Sequence, residues 1–288
     1  MILISSVGFF ACKKDSNPST QTTSVSHPVT IIDSDYTAAI DDATATFIIN
    51  DAKVIADGCL KGHDIDGPLK HGKSPLSGCE VITWAADTAM GDTCYINFGS
   101  SDCVCNDGIK RRGEIIFYWR KSSGTYSQAY FDSANTITMT FKNYCLNDIN
   151  VSGVRTVANL SSNVSGFQNY AMTANVVLTY PTGHTATWSA NHSATTVLVN
   201  GVYYYEITGS ASGIDHDDVT YSRTITSPLY LTAQPWYLGG CPWIESGIAI
   251  IDRSNSTNTL TLNYGSIGTC DNITTANING NNYTVSMP

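Results

Sequence analysis

The chain has 288 residues, enough for one large domain or two small ones and for a sizeable buried core. Apolar residues make up 42%, a globular share, while Asp, Glu, Lys and Arg make up only 14%, well below the roughly 25% of an ordinary soluble domain. A net charge of -9 argues against nucleic acid as a partner, because that binding needs a basic patch to displace counterions.

Residues 1–11 form a short apolar run, followed by Cys12 and then Lys13-Lys14-Asp15. The run falls short of the about 20 residues of a spanning helix. An apolar run closing on a small residue before a cysteine reads as the end of a bacterial lipoprotein signal. On that reading residues 1–11 are removed, and acylated Cys12 anchors the chain to the envelope membrane. The basic n-region of such a signal is missing before Lys13, which fits a start upstream of Met1. The plainer alternative is a frayed apolar terminus with an ordinary cysteine. Residues 13–33 are rich in Ser, Thr, Asn and Pro. They cannot bury enough apolar surface to offset ordering, so 12–33 reads as acylated Cys and flexible tether.

Residues 34–57 carry helical spacing, with Tyr36, Ile40, Ala43, Phe47 and Val54 on one face. Asp33 or Ser34 supplies a cap, and Gly58 reads as the stop. Beyond residue 79 the period becomes two. Ile137, Met139 and Phe141 alternate with Thr138, Thr140 and Lys142, and Leu260, Leu262 and Tyr264 alternate with Thr261 and Asn263. Asn200-Gly201 and Asn279-Gly280 read as two-residue hairpins, with further turns at Asp107-Gly108 and Pro181-Thr182-Gly183. The expected fold is mainly β (α+β), with about 12–14 strands. It is a large curved antiparallel sheet, open-barrel-like or two-layered, with the N-terminal helix covering a face of a single domain over 34–288.

Eight cysteines follow Cys12. In an exported chain an even number suggests disulfides. Cys241 and Cys270 lie near the ends of consecutive strands and are expected to pair. Cys79 is expected to pair with Cys103 or Cys105. Metal binding at Cys103-Val104-Cys105 is disfavoured, because a one-residue gap is poor for zinc. No metal or cofactor is expected.

No nucleophile elbow, zinc-protease helix, phosphate loop or dinucleotide fingerprint is present. Asp215-His216-Asp217-Asp218 is the densest polar cluster; it offers cation ligands, but its place between strands reads as a solvated hairpin tip. His63-Asp64-Ile65-Asp66-Gly67 fails as a calcium loop, with Leu69 and Pro75 at the positions that need Gly and an acid, and reads as a polar loop. Lys110-Arg111-Arg112 reads as a solvated turn rather than a phosphate site. Tyr204, Trp236 and Trp243 are candidates to stack on a sugar or line an acyl groove. Consecutive tyrosines 203–205 must alternate between faces, so part of the group is core packing.

Residues 103–116 (CVCNDGIKRRGEII), Thr140-Phe-Lys-Asn-Tyr, and the end of the chain resemble a family of Bacteroidota envelope lipoproteins. At that end Cys241-Pro-Trp-Ile-Glu-Ser-Gly precedes Leu260-Thr-Leu-Asn-Tyr-Gly, Cys270-Asp-Asn and Asn279-Gly. The resemblance covers roughly residues 34–288. It implies an outer-membrane lipoprotein, periplasmic or surface-facing, with a curved sheet and a helix beside it, and implies no particular activity. Cys59 and Cys145 fall outside the family pattern. The resulting expectation is a non-enzymatic envelope lipoprotein of structural, adhesive or accessory-binding role, whose partner is a protein, glycan or lipid. The alternatives are a carrier of an apolar ligand in an open barrel, a carbohydrate-binding module, and a glycosidase with two carboxylates across a cleft.

Overall fold

Helix α1 spans Asp33–Asp66 in the computed structural model, which describes residues 33–66, 78–87, 91–120, 135–161, 169–233 and 240–287. Side chains of 57–66 lie outside that description. Gly58 does not stop the helix, at the about 1 kcal/mol an interior glycine costs, so residues 63–66 are helical rather than a loop. Residues 37–56 are dominated by Ala, Thr and Ile, and all except half-buried Ile40 are buried. A helix buried on every side must be enclosed rather than laid against one surface.

The enclosure is a single antiparallel sheet. Its strands are β1 (Val81–Asp87), β2 (Gly91–Asn97), β3 (Cys103–Val104), β4 (Lys110–Arg120), β5 (Thr136–Leu146), β6 (Ile149–Asn159) and β7 (Asn169–Thr179). They continue as β8 (Thr185–Val199), β9 (Val202–Ile214), β10 (Thr220–Thr232), β11 (Ser246–Arg253), β12 (Leu260–Asn263), β13 (Ile273–Ile278) and β14 (Asn281–Ser286). Neighbours in sequence are neighbours in the sheet, except that β3 pairs beside β4. Among the described residues β1 and β14 do not pair, so the sheet curls without closing into a barrel. Side chains that meet α1 include Arg111 on β4, Trp188 on β8, Arg223 on β10 and Tyr283 on β14. The expected curved sheet with a helix against it is therefore present, wrapped further round the helix than one face.

Local chemistry explains the register. Asn200 and Gly201 adopt φ of 51° and 83°, and Asn279 and Gly280 adopt 51° and 81°. These left-handed pairs close the β8–β9 and β13–β14 hairpins as two-residue turns. Asn147-Asp148 does the same between β5 and β6, at φ of 45° and 68°. Ile137 and Met139 point into the core while Thr136 is exposed, as the alternation requires. Curvature comes from bulges and glycines. Gly153, in the middle of β6, has φ 124°, and a Cβ there would lie 2.1 Å from the Asn175 carbonyl oxygen. The β5–β6 and β9–β10 ladders also slip register once each.

Gly153→Ala is expected to cost about 1–3 kcal/mol, since it meets both strain and backbone overlap. The urea unfolding midpoint checks it; an unchanged midpoint would show that β6 does not need this bend.

Candidate functional site

Asp41, Asp42 and Asp51 interrupt the apolar run of α1, and all three are buried. A buried carboxylate needs a partner. Asp42 accepts from Trp188 Nε1 at 2.8 Å and from Arg223 Nη1 at 3.0 Å. Arg223 is fully buried; its Nη1 also reaches Thr46 Oγ1 at 3.2 Å, and its Nη2 reaches His192 Nε2 at 2.6 Å. A guanidinium only donates, so His192 Nε2 accepts and the ring is neutral. Burial, then the charges of Arg223 and Arg155, push the His192 pKa down to about 3. Asp51 pairs with Arg111 at 2.7 Å, and Arg111 also meets Asp107 at 2.8 Å. Burial pushes the Asp51 carboxyl up, and Arg111 pulls it back. A third buried pair joins Arg253 to Asp215 at 2.7 Å.

Asp41 lies where the β7–β8 and β9–β10 turns meet the helix. It accepts from the Tyr180 hydroxyl at 2.5 Å, the His216 backbone N–H at 2.7 Å and His216 Nδ1 at 2.8 Å. His184 Nδ1 donates to the His216 carbonyl oxygen at 3.0 Å, and Thr37 Oγ1 donates to Asp217 at 2.6 Å. Residues 215–218 form the β9–β10 hairpin tip, as expected, with Asp217 and Asp218 exposed, but the tip is not solvated throughout. Asp215 is buried against Arg253, and His216 is docked on the helix. The result is a half-exposed Asp–His pair with a second imidazole beside it. Among the described residues, no group of three or more His, Cys, Asp or Glu is arranged around a metal position.

Other expected site residues fall elsewhere. Cys241 bonds to Cys270, and Cys79 to Cys103. Cys105 is not in a disulfide: it is a buried free thiol, as are Cys94 and Cys145, so the cysteines do not all pair. Burial raises the pKa of Cys105 and Cys145, which suits inert core thiols. Tyr204 is buried with its hydroxyl on Glu245 at 3.2 Å, and half-buried Trp243 stacks on Phe47 of α1 at 6.3 Å. Neither is free as a sugar-stacking face, because each is used in packing. Cys12 and Trp236 lie outside the described residues. Lys110-Arg111-Arg112 is not a solvated turn. Arg111 is wholly buried, Lys110 pairs with Asp148 at 2.7 Å and Arg112 with Asp102 at 2.6 Å.

The Cys241–Gly247 motif is a structural node. Glu245 accepts from Tyr204, from Thr232 Oγ1 and from the Gly268 N–H at 2.7 Å, which holds the two ends of the Cys241–Cys270 loop together. Reading the sequence did not single out His192, Arg223, Arg253 or Tyr180. The available signal was the acids set inside the apolar run of α1, which announce buried partners without identifying them. Comparison with protein-family models, curated proteins and solved structures finds no match to this chain.

Arg223→Met is expected to lose about 3–5 kcal/mol by leaving Asp42 uncompensated, and adding Asp42→Asn should restore part of that. Urea midpoints of the two single variants and the double variant measure the coupling; purely additive losses would mean that the pair does not interact. His192 gives a pH signature. Its folded pKa lies below the unfolded value of about 6.5, so the unfolded chain takes up a proton that the native chain refuses. Stability therefore falls as pH drops from about 6.5 toward 3, at up to about 1.4 kcal/mol per pH unit. His192→Gln keeps an acceptor for Arg223 and should lack that slope. Parallel pH dependence of the two proteins between pH 7 and 4 would contradict the assignment.

Proposed function

We propose that the chain is a non-enzymatic, lipid-anchored envelope protein with a structural, adhesive or accessory-binding role, whose working surface is the outside of its sheet. The observation that carries this reading is the filled interior. Helix α1 occupies the space within the curl, and two cavities that share Arg155 in their walls measure about 20 and 10 Å³, each room for about one water. An apolar ligand asks for about 300–1,000 Å³ lined mainly by hydrophobic groups. A depression of about 390 Å³ lies at the Gly113 bulge, but Asn97, Arg112, Glu114 and Lys142 line it and it is open to solvent.

The outer face is uncharged over much of its width. Thr138, Thr156, Thr173, Asn191, Ser210 and Thr224 stand side by side across β5 to β10. Beside this row, Ser189 donates to Asn175 at 2.7 Å and Thr195 to Asn169 at 2.8 Å. Hydroxyls and carboxamides in register suit contact with a polar, uncharged partner such as a glycan or another protein. The lipobox-like Cys12 and the polar segment after it supply the anchor and the reach in this reading.

The anchor is tested by metabolic labelling with palmitate, followed by fractionation in a bacterial host. The wild-type chain is expected to carry label and to sediment with membranes, and Cys12→Ala to lose both. An unlabelled wild-type chain would remove the envelope reading.

A further inference from the structure

We propose that His184 and His216 form a site for a late first-row divalent ion such as Ni²⁺, Cu²⁺ or Zn²⁺, with water completing the coordination. The case rests on how the rings are held. A histidine that ligates a metal almost always donates its other ring N–H to a carboxylate or a backbone carbonyl, which sets the tautomer and aims the free nitrogen. Both arrangements occur here, side by side. His216 Nδ1 donates to the Asp41 carboxylate at 2.8 Å, and His184 Nδ1 donates to the His216 carbonyl oxygen at 3.0 Å. Three donors converge on Asp41, from Tyr180 and twice from His216, so it acts there as an acceptor only. In each neutral ring the proton therefore sits on Nδ1, and Nε2 carries an unshared pair.

The spacing is compatible. The ring centroids are 6.2 Å apart at an interplanar angle of 75°. Metal–nitrogen bonds of about 2.0–2.1 Å around one tetrahedral ion hold two imidazole centroids about 5 Å apart, so the site needs about 1 Å of approach with both Nε2 atoms turned to one point. His184 is exposed in the β7–β8 turn and can make that approach, while His216 is anchored through Asp41 and tilted against the Tyr180 ring at 5.1 Å between centroids. Imidazole ligands with open positions suit the late first-row ions rather than Ca²⁺ or Mg²⁺. Loading would tie the β7–β8 turn to the β9–β10 turn and, through Asp41, to the helix. This site is independent of the envelope reading.

Calorimetric titration of the full chain with Ni²⁺ tests the proposal. Wild type is expected to bind one ion at this site, and His184→Asn, a change in an exposed turn, to weaken that binding tenfold or more. A second readout needs no variant: Ni²⁺ should protect His184 and His216 from diethyl pyrocarbonate, as read by peptide mass. Absence of saturable Ni²⁺ binding, affinity unchanged in His184→Asn, or modification of both rings at the same rate with and without Ni²⁺ would each overturn the proposal.

Discussion

The structure depends on one electrostatic constraint: a helix enclosed by protein carries carboxylates that have no water to face. Asp42 and Asp51 cannot stay charged inside the curl unless cations reach them. The chain supplies those cations from strands remote in sequence, Arg111 on β4 and Arg223 on β10. The two arginines sit on strands separated by five intervening members of the sheet, β5 to β9. Both reach the same helix only if the sheet bends round it. The ion pairs therefore specify curvature as well as neutralising charge.

That role matters more than their net contribution to stability. Removing two ions from water costs several kcal/mol each, and their mutual attraction in the interior roughly offsets this. The slim helix is a better source of net stability. Ala38, Ala39, Ala43, Ala45 and Ala52 are fully buried, which lets strands approach, while Phe47, Ile48 and Ile55 bury larger apolar surfaces. Apolar burial holds the helix in the curl, and the carboxylates determine its rotation and height there. A turn of one residue would move Asp42 away from Trp188 and Arg223 together. The Asp215–Arg253 pair repeats the device at the β9–β10 turn, where it orients His216 toward Asp41.

Much of the fold was legible because it is locally encoded. Alternation at residues 136–142 and 260–264 identified strands, and Asn-Gly pairs identified hairpins whose positive φ few other residues accept. The disulfide between Cys241 and Cys270 was also expected, although the two cysteines precede β11 and β13, which β12 separates, rather than consecutive strands. The Lys110-Arg111-Arg112 run was misleading. By composition it is a solvated turn, yet the pleat sends Arg111 inward and its neighbours outward, and only the distant Asp51 makes the inward position tolerable. The 215–218 cluster was legible as a hairpin tip, with Asp217 and Asp218 exposed, but the burial of Asp215 was not. Its acids are typical of a hairpin tip, and the partner that buries Asp215 is 38 residues further along the chain. Pairings at that range depend on how the sheet curls, which no local pattern encodes.

Filling the curl with α1 takes the concave side of the sheet out of contact with solvent. A sheet that encloses a ligand must leave its concave side empty, whereas this one spends that side on α1. Among the described residues, the outer face of β5 to β10 and the turns at the strand ends are two of the accessible regions. They differ in kind. The outer face is broad and repetitive, with hydroxyls and amides at the fixed spacing of the ladder. The turn end gathers Tyr180 and His216 on a single buried carboxylate, Asp41, with His184 held on the His216 carbonyl oxygen. Asp41 belongs to the helix that the whole sheet encloses. The two turns are therefore tied to the element that shapes the sheet, and the outer face inherits its curvature from the same helix.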